Sequence, residues 1–241
     1  MNIEKAKQEF IKYADEFNMS DIRIARKKEH SFRVMKEAEE LAINLELPPE
    51  EVEIAKLIGL LHDIGRLKQL TIYDTYEDYQ SIDHGDLAVE ILTKDNYLRN
   101  FIEETEYDNI ILKAIKNHNK FKIEDGLTEK ELFFAKLIRD ADKLDIFYEG
   151  VEMFWEAEEE RQKVMKSEVS QGVIEQFNKK ETIKRENVKN SADDVIGFIA
   201  FIFDINFEYS KNKIKKEKYI EKLLEKFKGK DFGINLNFLV E

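Results

Sequence analysis

The chain has 241 residues, a formal net charge of −12 and no cysteine. That length can bury a sizeable core, and the acidic balance argues against broad binding to a phosphate backbone. The lack of cysteine excludes disulfides and thiolate metal sites. Two prolines and nine glycines leave room for long helices with short connections, so the expected class is all-α.

In chain order, residues 3–17 read as an amphipathic helix. Ser20 or Asp21 caps a second helix that runs to about Leu45 and stops before Pro48-Pro49. Residues 50–61 continue the helical pattern into His62-Asp63. The stretch 67–81 carries Tyr73, Tyr76 and Tyr79 with several acids and no helical stripe, and reads as a loop over the site. Helices are expected at about 83–94, 107–118 and 128–147. Beyond Gly150 come a charged helical segment, a polar stretch near 179–191, and helices near 192–208 and 212–228. The whole, 1–241, is read as one helical domain with a core over 22–147 and a C-terminal helical extension over 150–241. The region 160–190 is its only soft boundary. The opening MNIEKAKQEF lacks the apolar core of a signal peptide, and the most apolar run, 195–207, contains Asp204 and is too short to span a bilayer. No membrane partner and a cytoplasmic location are therefore expected, with the oligomeric state left open.

The chain has only four histidines, and each falls on an apolar helical stripe. His30 shares one with Val34, Ala38, Leu41 and Leu45. His62 follows Ala55 and Ile58. His84 leads into Leu87, Ala88, Ile91 and Leu92, and His118 follows Ile111, Ala114 and Ile115. Each imidazole is therefore expected to point inward. A single histidine on such a face is ordinarily a satisfied core residue. Four in one acidic domain need partners, which carboxylates plus a metal would supply.

Two segments offer the carboxylates. Asp63 follows His62, and neighbours on a helix differ by about 100°, so both reach one ion only where a helix ends. Gly65 can relax the backbone there. In the run 139–145 three carboxylates compete. Asp140 lies in the stripe of Phe133, Leu137, Leu144 and Phe147 and is the ligand candidate by periodicity. Asp142 lies on roughly the opposite side, where a solvated acid is the plain reading. Asp145 shares a second stripe with Phe134, Ile138 and Ala141.

The ordered strings HSFRV at 30–34, LLHDIGR at 60–66, DHGDLA at 83–88, AIKNH at 114–118 and RDADKLD at 139–145 resemble the HD superfamily of metal-dependent phosphohydrolases. The resemblance covers about residues 22–147. It implies an HD-domain helical bundle with additional C-terminal helices, in which His30, His62, Asp63 and Asp140 hold one metal. In dinuclear members the positions matching His84 and His118 hold a second ion, with the carboxylate matching Asp63 bridging the two. The alternative is one metal, with His84 and His118 binding substrate phosphate. Asn119 stands where a second histidine and a GYP signature would mark a cyclic-dinucleotide phosphodiesterase. The IGR after His62-Asp63 departs from the acidic pair typical of guanosine-tetraphosphate hydrolases.

The resemblance implies a phosphohydrolase acting on a phosphate ester or anhydride of a small molecule, foremost a nucleotide, by attack of hydroxide formed on the metal. The imidazole–carboxylate set suits one or two divalent ions among Mn, Fe, Mg, Zn, Co and Ni. Arg66 and Arg33 are candidates for neutralising phosphate charge. Lys143 is a candidate to pair with Asp63 or contact phosphate, which gives Asp63, Arg66 and Lys143 as the catalytic set. Two other classes stay open: a nucleotide-binding HD sensor without turnover, and a helical interaction module that binds no metal.

Overall fold

The computed structural model describes residues 1–236; the last residues of the expected C-terminal extension, 237–241, lie outside the described residues. Among the described residues there is no strand, and the architecture is an all-α HD-domain helical bundle with additional C-terminal helices. The chain divides into two compact units, Met1–Asp142 and Lys143–Glu241. The division falls between two consecutive residues of the RDADKLD run rather than in 160–190, because the C-terminal residues build a core of their own.

The first unit starts with α1 (Ile3–Asp15), whose buried face is Ile3, Ala6, Phe10, Tyr13 and Ala14. Next is α2 (Ile22–Asn44), capped by the Asp21 carboxylate, which accepts the Arg23 N–H at 2.9 Å. Its buried stripe runs through Ile24, His30, Val34, Ala38 and Leu41. After α3 (Pro49–Leu61), begun by a proline that needs no N–H partner, the chain turns at His62-Asp63 into α4 (Ile64–Tyr73). The segment expected to be a loop from residue 67 is helical to Tyr73, where Leu67 and Leu70 face the core beside a buried Gln69. The loop proper spans 74–83.

From there α5 (His84–Thr93) starts on the cap of Asp83, and α6 (Asp108–Asn117) follows. The helix α7 (Glu129–Glu152) opens with a reciprocal cap: Glu131 N–H donates to Thr128 Oγ1 at 3.3 Å, and Thr128 N–H to Glu131 Oε2 at 2.7 Å.

Two glycines bracketing His62-Asp63 set how closely these helices pack. A Cβ at Gly59 would stand 2.8 Å from Met35 Cα and 2.9 Å from Val34 O, so α3 lies directly on the backbone of α2. A Cβ at Gly65 would stand 2.4 Å from His84 O and 2.9 Å from Ala88 N, so α4 lies on the backbone of α5. Gly65 thus serves close helix approach rather than backbone relaxation. One contact draws the helix of His30 toward His62, and the other draws the helix of His84 toward Asp63.

The second unit holds the end of α7, then α8 (Glu158–Lys166), α9 (Gln171–Asn178), α10 (Ser191–Ile199), α11 (Glu208–Glu217) and α12 (Tyr219–Glu225). The apolar run at 195–207 is split between α10 and a 3₁₀ turn, Ala200–Asp204. Its Val195, Ile196, Phe198 and Ile199 pack with Phe147, Phe177, Leu223 and Phe227 into the core of this unit. The buried Asp193 carboxylate accepts the Ser170 N–H and hydroxyl at 2.7 Å each, and this ties the 170 turn to α10. No helix among the described residues is long and apolar enough to cross a membrane.

Candidate metal centre

All four imidazoles are buried in the first unit, none more than 4 % exposed. The elements that carry them explain their aim. His30 lies mid-helix on the core stripe of α2. His62 is the C-cap of α3 and Asp63 the N-cap of α4, so the helix break between them lets adjacent residues address one point. His84 is the first residue of α5. His118 caps the end of α6, where Arg139 Nη1 donates to the carbonyls of Asn117 (2.8 Å), His118 (3.2 Å) and Lys120 (2.6 Å). A cation on those carbonyls steadies a helix end and with it the His118 ring.

The side chains converge in two groups on either side of one carboxylate. In the first, His30 Nε2 and His62 Nε2 are 3.3 Å apart. They stand 3.5 and 3.7 Å from Asp63 Oδ2 and 3.1 and 3.5 Å from Asp142 Oδ1. In the second, His84 Nε2 and His118 Nε2 are 2.9 Å apart and lie 3.4 and 3.5 Å from Asp63 Oδ1.

Proton placement shows what such groups lack. Backbone carbonyls accept only, so His62 Nδ1 donates to Gly59 O at 2.8 Å and His118 Nδ1 to Ile115 O at 2.7 Å. His84 Nδ1 donates to Asp78 Oδ2 at 2.7 Å. Burial, foremost, pushes the His84 pKa down to about 4. Burial also lowers that of His118, against the pull of Asp63. Both rings are therefore neutral near pH 7, and their Nε2 lone pairs face each other beside Asp63 Oδ1, which is buried without a hydrogen-bond partner. Three acceptors meet with no proton among them, an arrangement that costs free energy unless a cation enters.

Burial opposes ionisation of Asp63, but the charge of Lys27, whose Nζ lies 2.8 Å from Oδ2, holds its pKa well below the carboxylate range. Burial likewise opposes ionisation of Asp142, and the hydrogen bonds of His30 and His62 hold it well below the carboxylate range. Both are anions at every physiological pH. The donor–donor separations also suit an ion: nitrogen and oxygen ligands at about 2.1 Å from a tetrahedral or octahedral centre are about 3.0–3.4 Å apart.

Asp140 is fully buried, but the carboxylate of α7 that meets His30 and His62 is that of Asp142. Residues two apart on a helix point about 200° apart, so one direction excludes the other and the periodicity reading is out of phase. Arg66 reaches the edge of the site, its Nε 3.7 Å from Asp63 Oδ1, while its Nη1 donates to Gln69 Oε1, Tyr76 O and Asp78 Oδ1. Arg33 is half-buried on α2 one turn beyond His30. The ammonium beside Asp63 is that of Lys27, and Lys143 Nζ lies 2.7 Å from Asp204 Oδ2 within the second unit. Of the three tyrosines, Tyr73 and Tyr79 are exposed. Tyr76 is half-buried, with Lys27 Nζ 5.8 Å and the Arg66 guanidinium 5.6 Å from its ring centroid.

Sequence reasoning missed Lys27, Asp78 and Asn119. Lys27 had a usable signal, since it precedes His30 by one helical turn. Asp78 and Asn119 had none: Asp78 sits in the aperiodic loop, where it orients His84, and Asn119 Nδ2 donates to Asp78 Oδ2 at 3.1 Å.

Comparison with curated proteins returns no match, and neither does comparison with solved structures. Residues 28–146 match the family model described as HD domain, a span that contains every imidazole and carboxylate of both groups; through this segment the chain belongs to the HD superfamily.

Proposed function

We propose that the protein is a divalent-metal-dependent phosphohydrolase that cleaves a phosphate ester or anhydride of a small molecule, a nucleotide being the first class to test. The observation that carries this reading is the two groups of buried imidazole and carboxylate atoms meeting at the two oxygens of Asp63, of which Oδ1 has no hydrogen-bond partner. HD domains are in general metal-dependent phosphohydrolases, which supports the same reading. His30, His62 and Asp142 with Asp63 Oδ2 would hold one ion, and His84 and His118 with Asp63 Oδ1 a second. When bound, such ions supply Lewis-acid polarisation and acidify a coordinated water.

The chain's own residues do the rest. Asp78 holds the proton of His84 on Nδ1, leaving Nε2 as a donor atom. The carbonyls of Gly59 and Ile115 do the same for His62 and His118. Arg66 fastens loop 74–83 through Asp78 and the Tyr76 carbonyl, while Gln69 Nε2 donates to Ser81 Oγ and Ile82 O at 2.9 Å each. The loop is thereby built into the rim of the site.

The test is metal analysis of the purified protein, followed by a phosphorylated-metabolite panel assayed with Mn, Fe, Mg, Zn, Co or Ni added. Release of phosphate or a phosphorylated product, abolished by chelation, supports the proposal. Bound metal with no turnover across the panel would instead favour a nucleotide-binding sensor, and no bound metal would leave a helical interaction module.

A further inference from the structure

Lys27 is the cation most directly engaged with the ligand cluster. Its Nζ lies 2.8 Å from Asp63 Oδ2, the oxygen that faces His30 and His62. It stands on α2 one turn before His30, on the same face. Among the groups around Asp63 it is the most open, at 23 % exposed against 15 % for Arg66 and no more than 4 % for the imidazoles. Lys27 thus stands on a side of the cluster that solvent reaches.

Arg66, the phosphate ligand expected from sequence, is committed through Nη1, while its Nε is buried without a hydrogen-bond partner 3.7 Å from Asp63 Oδ1. One terminal nitrogen serves Gln69, the Tyr76 carbonyl and Asp78, and withdrawing it would release the loop. Among the described residues Lys27 pairs with Asp63 and lies over the Tyr76 ring. A divalent ion beside Asp63 Oδ2 takes over the charge that Lys27 now neutralises and repels the ammonium at short range. A flexible four-carbon stem allows the head to swing away without backbone movement. With its carboxylate partner claimed, the ammonium is left at the mouth of a strongly positive site, which suits a phosphoryl dianion.

We infer that Lys27 is the substrate-phosphate ligand of this site: in the metal-free protein it pairs with Asp63, and on metal loading it passes to a non-bridging phosphoryl oxygen. Arg66 is then a positioning residue for loop 74–83. This inference rests on the phosphohydrolase reading, and the experiment separates the two.

Lys27→Met, Lys27→Gln and Lys27→Arg would be titrated calorimetrically, first with Mn²⁺ and then, once loaded, with inorganic phosphate. The parent is expected to take up Mn²⁺ and bind phosphate. Lys27→Met and Lys27→Gln should bind Mn²⁺ as well as the parent or more tightly, since a competing cation is gone, and should bind phosphate about tenfold or more weakly. Lys27→Arg should recover most of the phosphate affinity, which also covers the case in which a neutral variant folds poorly. Unchanged phosphate affinity in a metal-loaded neutral variant overturns the inference and leaves the phosphohydrolase reading standing. Loss of Mn²⁺ binding in folded Lys27→Met and Lys27→Gln also overturns it, by making Lys27 a support of Asp63. A parent that takes up no Mn²⁺ overturns both.

Discussion

Replacing Gly65 by alanine tests how the second donor group is assembled. The added methyl would stand 2.4 Å from the carbonyl oxygen of His84 and 2.9 Å from the Ala88 nitrogen. Both are backbone atoms, so no side-chain rotation relieves the clash, and ordinary contact at 3.4 Å requires α4 and α5 to part by about 1 Å. Overpacking of this kind costs about 1–3 kcal/mol, or roughly 3–10 °C of melting temperature for a domain of this size. The functional effect is local. His84 begins α5, and its Nε2 is only 2.9 Å from His118 Nε2 and 3.4 Å from Asp63 Oδ1, so a shift of about 1 Å misplaces one ligand of three. We expect Gly65→Ala to weaken one of two Mn²⁺ sites by about 10–100-fold and to leave the site built on His30 and His62 near the parental affinity. Differential scanning fluorimetry of the metal-free protein and calorimetric titration with Mn²⁺ give the two readings. Parental melting together with two unaltered sites would refute the claim that this close approach positions His84.

Asp142→Ala should lose most of the metal held by His30 and His62, whereas Asp140→Ala should keep it if it folds, as read by inductively coupled plasma mass spectrometry; the reverse pattern would restore the apolar-stripe assignment. The metal-free protein should be destabilised by mild acid through His84. Its pKa is about 4 folded and 6.5 as the reference, so the unfolded chain binds the proton first. Stability is then full above about pH 6.5 and falls toward pH 4 by on the order of 3 kcal/mol. Urea unfolding across that range should show the slope in the parent and a shallower one in His84→Gln. Asp78→Asn should retain the fold but weaken metal binding at the His84–His118 group by about tenfold, because His84 loses the carboxylate that fixes its tautomer; an unchanged Mn²⁺ isotherm would remove Asp78 from the site's support.

Much of the scaffold was legible because its signals are local. The stripe of Val34, Ala38 and Leu41, the Asp21 cap and the Pro48-Pro49 stop delimit α2 within a residue or two. Scarcity made the histidines conspicuous. Hydrophobic periodicity misleads where the core is polar. The face of α7 that meets the imidazoles carries Arg139 and Asp142, so a search along apolar stripes picks Asp140, which is fully buried but on another face. The same effect hid the end of α4, where the buried Gln69 is polar and leaves Leu67 and Leu70 as a stripe too short to mark a helix. Lys27 passed unnoticed because lysines on helices are ordinarily solvated, although its place one turn before His30 was a usable signal for its proximity to Asp63. Asp78 joins the site across a loop without period, which no pattern in sequence announces.

Cations are expected to bind on both sides of Asp63. Anomalous diffraction from crystals of the parent grown with Mn²⁺ addresses that directly. We predict one peak bounded by His30, His62, Asp142 and Asp63 Oδ2, and another bounded by His84, His118 and Asp63 Oδ1. Density at Asp140, or no peak at either group in Mn²⁺-saturated crystals, would contradict it.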